Sequence, residues 1–437
     1  MSLHDVWQLV FDFLPKKPVC VEPVDENLST DAGLLVFRQW DEQQRFTEGF
    51  AEQLDDSRRD PEHTTLEMVR SRLFGILAGY EDQNDHDALR TDAIFKLLAN
   101  RLPEDDDLAS QPTLSRFENS ITPRSLLRLE DWFIERFVNS FDQSPCEVTL
   151  DIDVFDDPTH GAQQLTFYHG FYKQYQYLVR AITCAENDAV VLPVLLYGTA
   201  DVALGLANDL ERIVQALREK FPHVLIRVRA DADYAKPWFY RLCERLDIEY
   251  SIGFGMNAVL KRNSEGLLEK AIELYEQTGQ PQRLFTGLDY QAGTWDQPPT
   301  TATRRCPVVL KCEANAQGTN RRRPPLRVGA RVTNRPGART LPEGVYDEYS
   351  ERGESENRNK ELKCELCADR LSDHRYLANC FRLFLHCLAN NVLVSLRQKI
   401  ADPPAEEDAG HYLDPDTVPA GIVRGQVHII DKAAWFG

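Results

Sequence analysis

A chain of 437 residues with 42% hydrophobic and 27% charged residues has globular composition and enough length for two or three domains with a sizeable core. Its N-terminus lacks the features of a secretory signal, no run of about 18 apolar residues suggests a membrane span, and ten cysteines show no disulfide-scaffold spacing, so we expect a cytoplasmic protein without membrane contact. The net charge of −19 argues against a broadly basic, nucleic-acid-binding surface.

Residues 1–140 are predicted to form a helical domain. Apolar residues recur at helical spacing in the segments 66–77 and 94–98. The segment from Ser110 to Phe117 offers a cap and a short helix with polar tips. It is compatible both with a helix that enters a DNA groove and with an ordinary surface turn and helix.

Residues 141–254 are predicted to form an α/β unit. Short segments rich in β-branched or aromatic residues indicate three successive strands, followed by helix, strand, helix and strand. The predicted strands are 146–155, 177–185, 190–196, 224–230 and 248–253, and the predicted helices are 201–220 and 236–246. This order resembles the RNase H-like core, a mixed five-stranded sheet flanked by helices.

The remaining chain divides by composition. Residues 255–345 are predicted to form an inserted β-rich subdomain, residues 346–400 the C-terminal helices of the core, and residues 401–437 an acidic, Pro-rich tail. Residues 301–340 contain ten Lys or Arg and one acid, a local net charge of +9. Within this basic segment, Arg321, Arg322 and Arg323 are predicted to contact DNA phosphates.

Two aspartates project from one face of the first predicted strand. Asp151 and Asp153 alternate with Val148, Leu150 and Ile152, so alternation alone does not choose between them. Asp231 ends the strand 224–230, which lies beside the first strand in the proposed core. We therefore expect Asp231 near Asp153.

A third acid lies in a segment predicted to be one helix from about Tyr349 to Leu371. On such a helix, Tyr349, Arg352, Glu356 and Lys363 fall within about 60° of one another. Asp153, Asp231 and Glu356 together would be hard oxygen ligands suited to Mg²⁺. A pair of such ions can activate the attacking oxygen and stabilise the leaving oxygen at phosphorus.

At these residues the sequence resembles the DDE transposases of bacterial insertion sequences. Their signature of Tyr, two residues, Arg, three residues, Glu, six residues and Lys is met by Tyr349, Arg352, Glu356 and Lys363. The short segments 156–161, 167–170 and 368–370 also resemble this family, and the resemblance covers roughly residues 30–400.

The resemblance implies a helical domain that binds DNA ends, an RNase H-like core with a β insertion, and two Mg²⁺ ions, with Mn²⁺ as an alternative. It implies a homodimer that cuts transposon ends carrying terminal inverted repeats and joins them to target DNA. Asp153, Asp231 and Glu356 would be catalytic metal ligands. Tyr349, Arg352 and Lys363 would contact DNA phosphates near the cleavage point.

Three alternatives remain open. Phe155 and Ala232 stand where the family commonly has small hydroxyl residues, so a relative that binds DNA without cutting it stays possible, as does a ligand role for Asp151 or Asp233. Cys364 and Cys367, with His374, Cys380, His386 and Cys387, would suit a zinc-containing regulator. We favour core packing on a continuous helix for the cysteine segment.

Overall fold

The computed structural model describes residues 9–11, 19–21, 31–292, 306–315, 326–337 and 341–401. Strands β1 (Leu9–Phe11) and β2 (Val19–Val21) form an antiparallel pair. Seven helices follow: α1 (Leu34–Gln44), α2 (Phe46–Ala51), α3 (Thr65–Ala78), α4 (His86–Leu89), α5 (Ala93–Leu98), α6 (Gln111–Asn119) and α7 (Pro123–Asn139). The predicted helical character is confirmed for residues 34–139, whereas the strands β1 and β2 precede them.

Local sequence explains where these helices begin and end. Thr64 and Glu67 form a capping box at the start of α3, and Gly79 ends that helix at a φ of 89°, a conformation that glycine adopts without strain. Ser110 precedes α6, so the predicted short helix at 110–117 is present.

The α/β unit follows the predicted alternation of strands and helices. Its strands are β3 (Glu147–Pro158), β4 (Phe167–His169), β5 (Gln174–Cys184), β6 (Val190–Tyr197), β7 (Leu225–Ala230) and β8 (Glu249–Phe254), and its helices are α8 (Leu206–Lys220) and α9 (Pro237–Arg245). The strands β3, β5 and β6 form an antiparallel meander, whereas β7 is parallel to both β3 and β8. The spatial order is therefore β6, β5, β3, β7, β8.

The insertion extends the same sheet. After α10 (Ala258–Thr278) come β9 (Gln282–Tyr290), β10 (Cys306–Ala314) and β11 (Leu326–Thr333). Because β11 pairs antiparallel with β8, nine of the described strands, β3 to β11, form one sheet, where the sequence predicted five strands and an inserted unit. Local pattern could not predict this pairing, which joins segments that are distant in sequence.

The predicted continuous helix from Tyr349 to Leu371 is wrong. The chain forms α11 (Pro342–Ser350), breaks at Glu351 and Arg352, forms α12 (Gly353–Lys360), and then makes one π-helical turn at Glu361–Glu365. A π turn widens the helix and changes its facing, and such turns are frequent at functional sites. The four signature residues consequently do not share one helix face.

The helix α13 (Tyr376–Ala401) packs against both the N-terminal helices and the large sheet. Its apolar side chains lie in one core cluster with α2, α3, α6 and α7 and with residues of β5 and β6. Phe381, Phe384 and Leu388 are buried there. By length and composition α13 could cross a membrane, contrary to the sequence expectation, but 78% of its most apolar window is buried inside the protein.

Candidate active site

Two aspartates lie next to each other where the parallel pairing of β3 and β7 ends. Ile152 of β3 pairs with Ala230 of β7, so the next residues along the two strands are Asp153 and Asp231. Neighbouring strands lie about 4.8 Å apart, so these two residues are adjacent across the strand pair. The expected proximity of these two residues follows from the register.

The carboxylate of Asp153 is enclosed by donors. Arg352 Nη2 donates to Oδ1 at 2.8 Å, Asn359 Nδ2 donates to Oδ2 at 2.7 Å, and the backbone N–H of Val154 donates to Oδ1 at 3.0 Å. Burial raises the pKa of Asp153, the charge of Arg352 opposes that rise, and the charge of Glu356 adds to it. Asp153 is thus a partly desolvated carboxylate in contact with one cation.

Asp231 forms the start of a short 3-10 turn at Ala232–Tyr234. Its Oδ1 accepts a hydrogen bond of 2.9 Å from the backbone N–H of Asp233, which fixes the carboxyl group. Burial raises the pKa of Asp231, and the charges of Asp233 and Asp153 raise it further against the opposing charge of Arg352. A carboxylate whose pKa is raised by neighbouring carboxylates suits a divalent cation, which would relieve that repulsion and prefers hard oxygen ligands.

Asp151 is held by arginines although it shares the strand face of Asp153. Its carboxylate accepts a two-pronged ion pair from Arg229, with Nε–Oδ1 at 2.7 Å and Nη2–Oδ2 at 2.8 Å. Arg358 Nη1 adds a contact of 3.1 Å to Oδ2. Because both Asp151 and Arg229 are buried, this carboxylate is engaged inside the protein.

Glu356 lies exposed on α12 and is not grouped with the two aspartates. Its charge reaches Asp153, whose pKa it raises, but Arg352 and Asn359 occupy the oxygens of that carboxylate. Across the described ranges, no three His, Cys, Asp or Glu side chains are arranged so that they could hold a metal ion. The donor chemistry of Asp153 and Asp231 fits a divalent ion, and the third carboxylate does not converge on it.

Tyr349 lies beneath this site. Its side chain is only 7% exposed, and its hydroxyl donates to the carbonyl oxygen of Ala230 at 3.1 Å. The guanidinium of Arg331 stands 4.0 Å from the centre of its ring. The phosphate contact that the resemblance implies for Tyr349 does not match this geometry, in which the hydroxyl supports the end of β7.

Lys363 lies on the π turn and faces acids. Its Nζ is 3.0 Å from Asp156 Oδ1 and 3.7 Å from Asp369 Oδ2. Burial acts to raise the pKa of Asp156, but the hydrogen bond and charge of Lys363 outweigh it, so that pKa is lowered. Asp156 and Asp369, which are far apart in sequence, therefore both contact Lys363.

Several residues of the site were not predicted from the sequence. Asn359 follows Arg352 by seven residues, a spacing that brings two helical side chains to the same face and could have indicated it. Arg229 and Arg358 on Asp151 had no local signal, because their partner comes from another strand. The predicted phosphate contacts Arg321, Arg322 and Arg323 lie outside the described residues.

The cysteine segment is not one helix. Cys364 is exposed in the π turn, and Cys367 follows the end of that turn at a φ of 56°, so the predicted helical packing of this pair is wrong. Cys387 and His386 are buried in α13, and His386 Nδ1 lies 2.7 Å from the carbonyl oxygen of Leu366. Burial lowers the pKa of His386 to about 3.

Comparison with known proteins identifies the family. A family model described as Transposase DDE domain group 1 matches residues 11–410. The chain belongs to this transposase family. Membership implies a nuclease and strand transferase that binds DNA, and transposases of this kind generally use divalent metal ions.

None of the curated proteins matches this transposase sequence. A solved structure that matches it is the piggyBac transposase in a synaptic complex with hairpin DNA, determined by cryo-EM. It is 12% identical, the match covers 86% of this chain and 78% of that chain, and the TM-score is 0.42.

The two departures from the common transposase pattern have different surroundings. Phe155 is buried in the core cluster that includes α13, and Lys363 Nζ lies 5.5 Å from the centre of its ring. Ala232 is exposed at the first position of the 3-10 turn. Phe155 thus contributes packing beneath Lys363, whereas Ala232 leaves the surface beside Asp231 open.

Proposed function

We propose that this chain catalyses metal-dependent cleavage of transposon DNA ends and their transfer into target DNA. Asp153 and Asp231 are the first two metal ligands in this proposal, and Glu356 is the third. The observation that carries it is the placement of Asp153 and Asp231 side by side where the parallel pairing of β3 and β7 ends, with the charge of Asp153 raising the pKa of Asp231. The strand order β6, β5, β3, β7, β8 supports an RNase H-like core around them.

The choice of Asp153 over Asp151 rests on their partners. Asp151 is committed to Arg229 and Arg358 in the interior, whereas Asp153 borders Asp231. Two bound Mg²⁺ ions, or Mn²⁺ in their place, would supply activation of the attacking oxygen and stabilisation of the leaving oxygen. In this proposal Glu356 approaches by movement of α12. This helix lies between the helix interruption at Glu351 and Arg352 and the π turn at Glu361–Glu365.

The basic residues have roles in holding DNA. Arg352 offers a planar fork for a phosphate once its contact with Asp153 is released, and Lys363 offers a point charge beside Asp156. We assign Tyr349 to positioning, because its hydroxyl holds the backbone that precedes Asp231. Arg321, Arg322 and Arg323 are proposed to bind DNA phosphates.

The partners are double-stranded DNA with terminal inverted repeats and target DNA, bound by a homodimer in the bacterial cytoplasm. Residues 1–140 bind the DNA ends in this proposal, residues 141–254 and 346–400 form the catalytic core, residues 255–345 form the inserted β-rich part, and residues 401–437 form a tail. Positive charge in the segment 301–340 supports DNA contact by the insertion.

The test is cleavage of DNA that carries the element's own terminal sequences. Purified full chain should cut at those ends with Mg²⁺ or Mn²⁺ and not with EDTA. Asp153→Asn, Asp231→Asn and Glu356→Gln should each abolish cleavage while DNA binding persists. Glu354→Gln, an exposed neighbour on α12, is the matched control and should cleave normally. Normal cleavage by Glu356→Gln would overturn the assignment of the third ligand.

A second candidate is a protein that binds transposon ends without cutting them. It is favoured by the separation of Glu356 from Asp153 and Asp231 and by the ion pair between Arg352 and Asp153. Specific binding to the terminal repeats, with no nicking in Mg²⁺ or Mn²⁺, would establish this function instead.

A further inference from the structure

A hairpin beside the site presents aromatic side chains to solvent. The strand β4 and the start of β5 form this aromatic hairpin, residues 165–175. Phe171 at its tip is 83% exposed, and four further aromatic residues are also exposed: Phe167, Tyr168, Tyr172 and Tyr175. A contiguous exposed apolar patch on a folded protein marks an interaction site.

The chemistry of the aromatic hairpin differs from that of the chain as a whole. The chain carries a net charge of −19, yet residues 165–175 contain no Asp or Glu and include Lys173. The rings contact one another edge to face. The ring centroids of Phe171 and Tyr172 are 5.1 Å apart with an interplanar angle of 88°, and those of Tyr168 and Tyr175 are 5.6 Å apart with an angle of 67°. Edge contacts leave ring faces available for a flat ligand.

The base of the aromatic hairpin is firmly held. The backbone N–H of Thr159 donates to the carbonyl of Tyr175, and that of Gln164 donates to the carbonyl of His374, both at 2.9 Å. Gly198 lies against it so closely that a Cβ there would be 2.1 Å from the carbonyl oxygen of Gln176 and 2.8 Å from that of Phe167. Exposed rings on a fixed base can bind a ligand without a large ordering cost.

The aromatic hairpin adjoins the candidate active site. Gln174 Nε2 donates to Asp156 Oδ2 at 2.9 Å, and the other oxygen of Asp156 contacts Lys363. Burial raises the pKa of Tyr172, and the charges of Asp156 and Asp233 raise it further, so the phenol of Tyr172 lies near these two acids. A ligand on the exposed rings would therefore lie next to the proposed cleavage point.

We propose that the aromatic hairpin binds an unpaired nucleobase of the DNA by stacking, with Phe171 as the principal ring. The inference rests on the proposed function for its DNA substrate and adds a site that holds a base outside the duplex. Every base has a π face, so such stacking tolerates any sequence. Lys173 supplies a cation for the adjoining phosphate.

The test compares two DNA probes in EDTA, so that no cleavage is involved. One is a blunt duplex and the other is the same duplex with a short single-stranded extension containing 2-aminopurine. The full chain should bind the extended duplex roughly ten-fold more tightly and quench its fluorescence. Phe171→Ala should lose that preference and keep the affinity for the blunt duplex, whereas Phe171→Trp should retain both.

Ile400→Ala is the control, since Ile400 is 69% exposed near the C-terminal end of α13, away from the aromatic hairpin in the sequence. Equal binding of both probes by the wild-type chain, or unaltered preference in Phe171→Ala, would overturn the inference and leave metal-dependent cleavage untouched. A changed oligomeric state in Phe171→Ala with the preference unaltered would also overturn it and would assign the rings to a second copy of the chain. Loss of cleavage in Asp153→Asn tests the proposed function separately.

Discussion

Arg352 Nη2 lies 2.8 Å from Asp153 Oδ1, and both side chains are largely buried. The signature arginine thus neutralises one of the two adjacent aspartates. Its charge lowers the pKa of both Asp153 and Asp231, which burial raises. Arg352 therefore helps keep both carboxylates ionised.

Replacing Arg352 by glutamine should shift the pH dependence of cleavage. Without the arginine charge the pKa of Asp153 rises further, so the ionised ligand is lost at a higher pH as the solution is acidified. The acidic limb of the rate profile should move to higher pH, and the maximal rate should fall about 10²–10³-fold if Arg352 also stabilises the reacting phosphate. Arg397→Gln, which breaks an exposed pair with Glu361, should leave the profile unchanged. An unshifted limb in Arg352→Gln would contradict this role.

Substitutions of the neighbouring acids Asp151 and Asp153 should have different effects, the first on the stability of the fold and the second on cleavage. Asp151→Asn leaves the buried Arg229 without its buried charged partner, with only the exposed Glu351 still paired to it, and should lower the free energy of unfolding by about 3–5 kcal/mol. Asp153→Asn removes a carboxylate whose pKa is raised, and should abolish cleavage without lowering the melting temperature. Thermal unfolding and end cleavage, measured on both variants, provide the comparison. Equal destabilisation by the two substitutions would show that Asp153 is structural.

Asp157 and Asp156 should have opposite effects on stability. Burial raises the pKa of Asp157 well above its usual value, so its ionised form destabilises the fold above that pKa, and the penalty is relieved as the pH falls through it. Asp157→Asn should therefore melt above the wild type at pH 8, by a margin that shrinks towards pH 5. Asp156 has a lowered pKa, so its charge stabilises at neutral pH and that contribution is lost on acidification through the lowered pKa. Asp156→Asn should have a melting temperature below that of the wild type at pH 8. A shift of the melting temperature in the same direction for both variants would contradict the opposite roles of the two carboxylates.

Gly253 is expected to be required for the position of Asp231. A Cβ at residue 253 would lie 2.9 Å from the Tyr349 hydroxyl, 3.1 Å from the backbone nitrogen of Ala232 and 3.3 Å from the carbonyl carbon of Asp231. Gly253→Ala should thus displace the turn at Asp231 and reduce cleavage. Adding Tyr349→Phe removes the hydroxyl but not the backbone contacts, so the double variant should recover only part of the rate. Full activity in Gly253→Ala, or full rescue in the double variant, would show that the backbone of the turn is not under this constraint.

Sequence periodicity predicted the elements that depend on local pattern. The alternating β3 strand and the strand end at Asp231 were correct, and their parallel register brings Asp153 and Asp231 together. The break between α11 and α12 was missed because helical spacing carries no information about a π turn or an ion pair with a distant strand. The roles of Asp151 and Asp153 were likewise inseparable by alternation, since Arg229 and Arg358 come from other elements.

Because α13 packs on both α3 and β6, the order of synthesis constrains folding. The ribosome makes α13 only after both regions that it covers, so the helices α1–α7 and the strands that follow emerge with apolar surfaces that have no partner yet. Such surfaces favour association with other chains until they are covered. The nascent protein is therefore expected to need chaperone protection until residues 376–401 have been released, and the first 140 residues should not form a stable fragment alone.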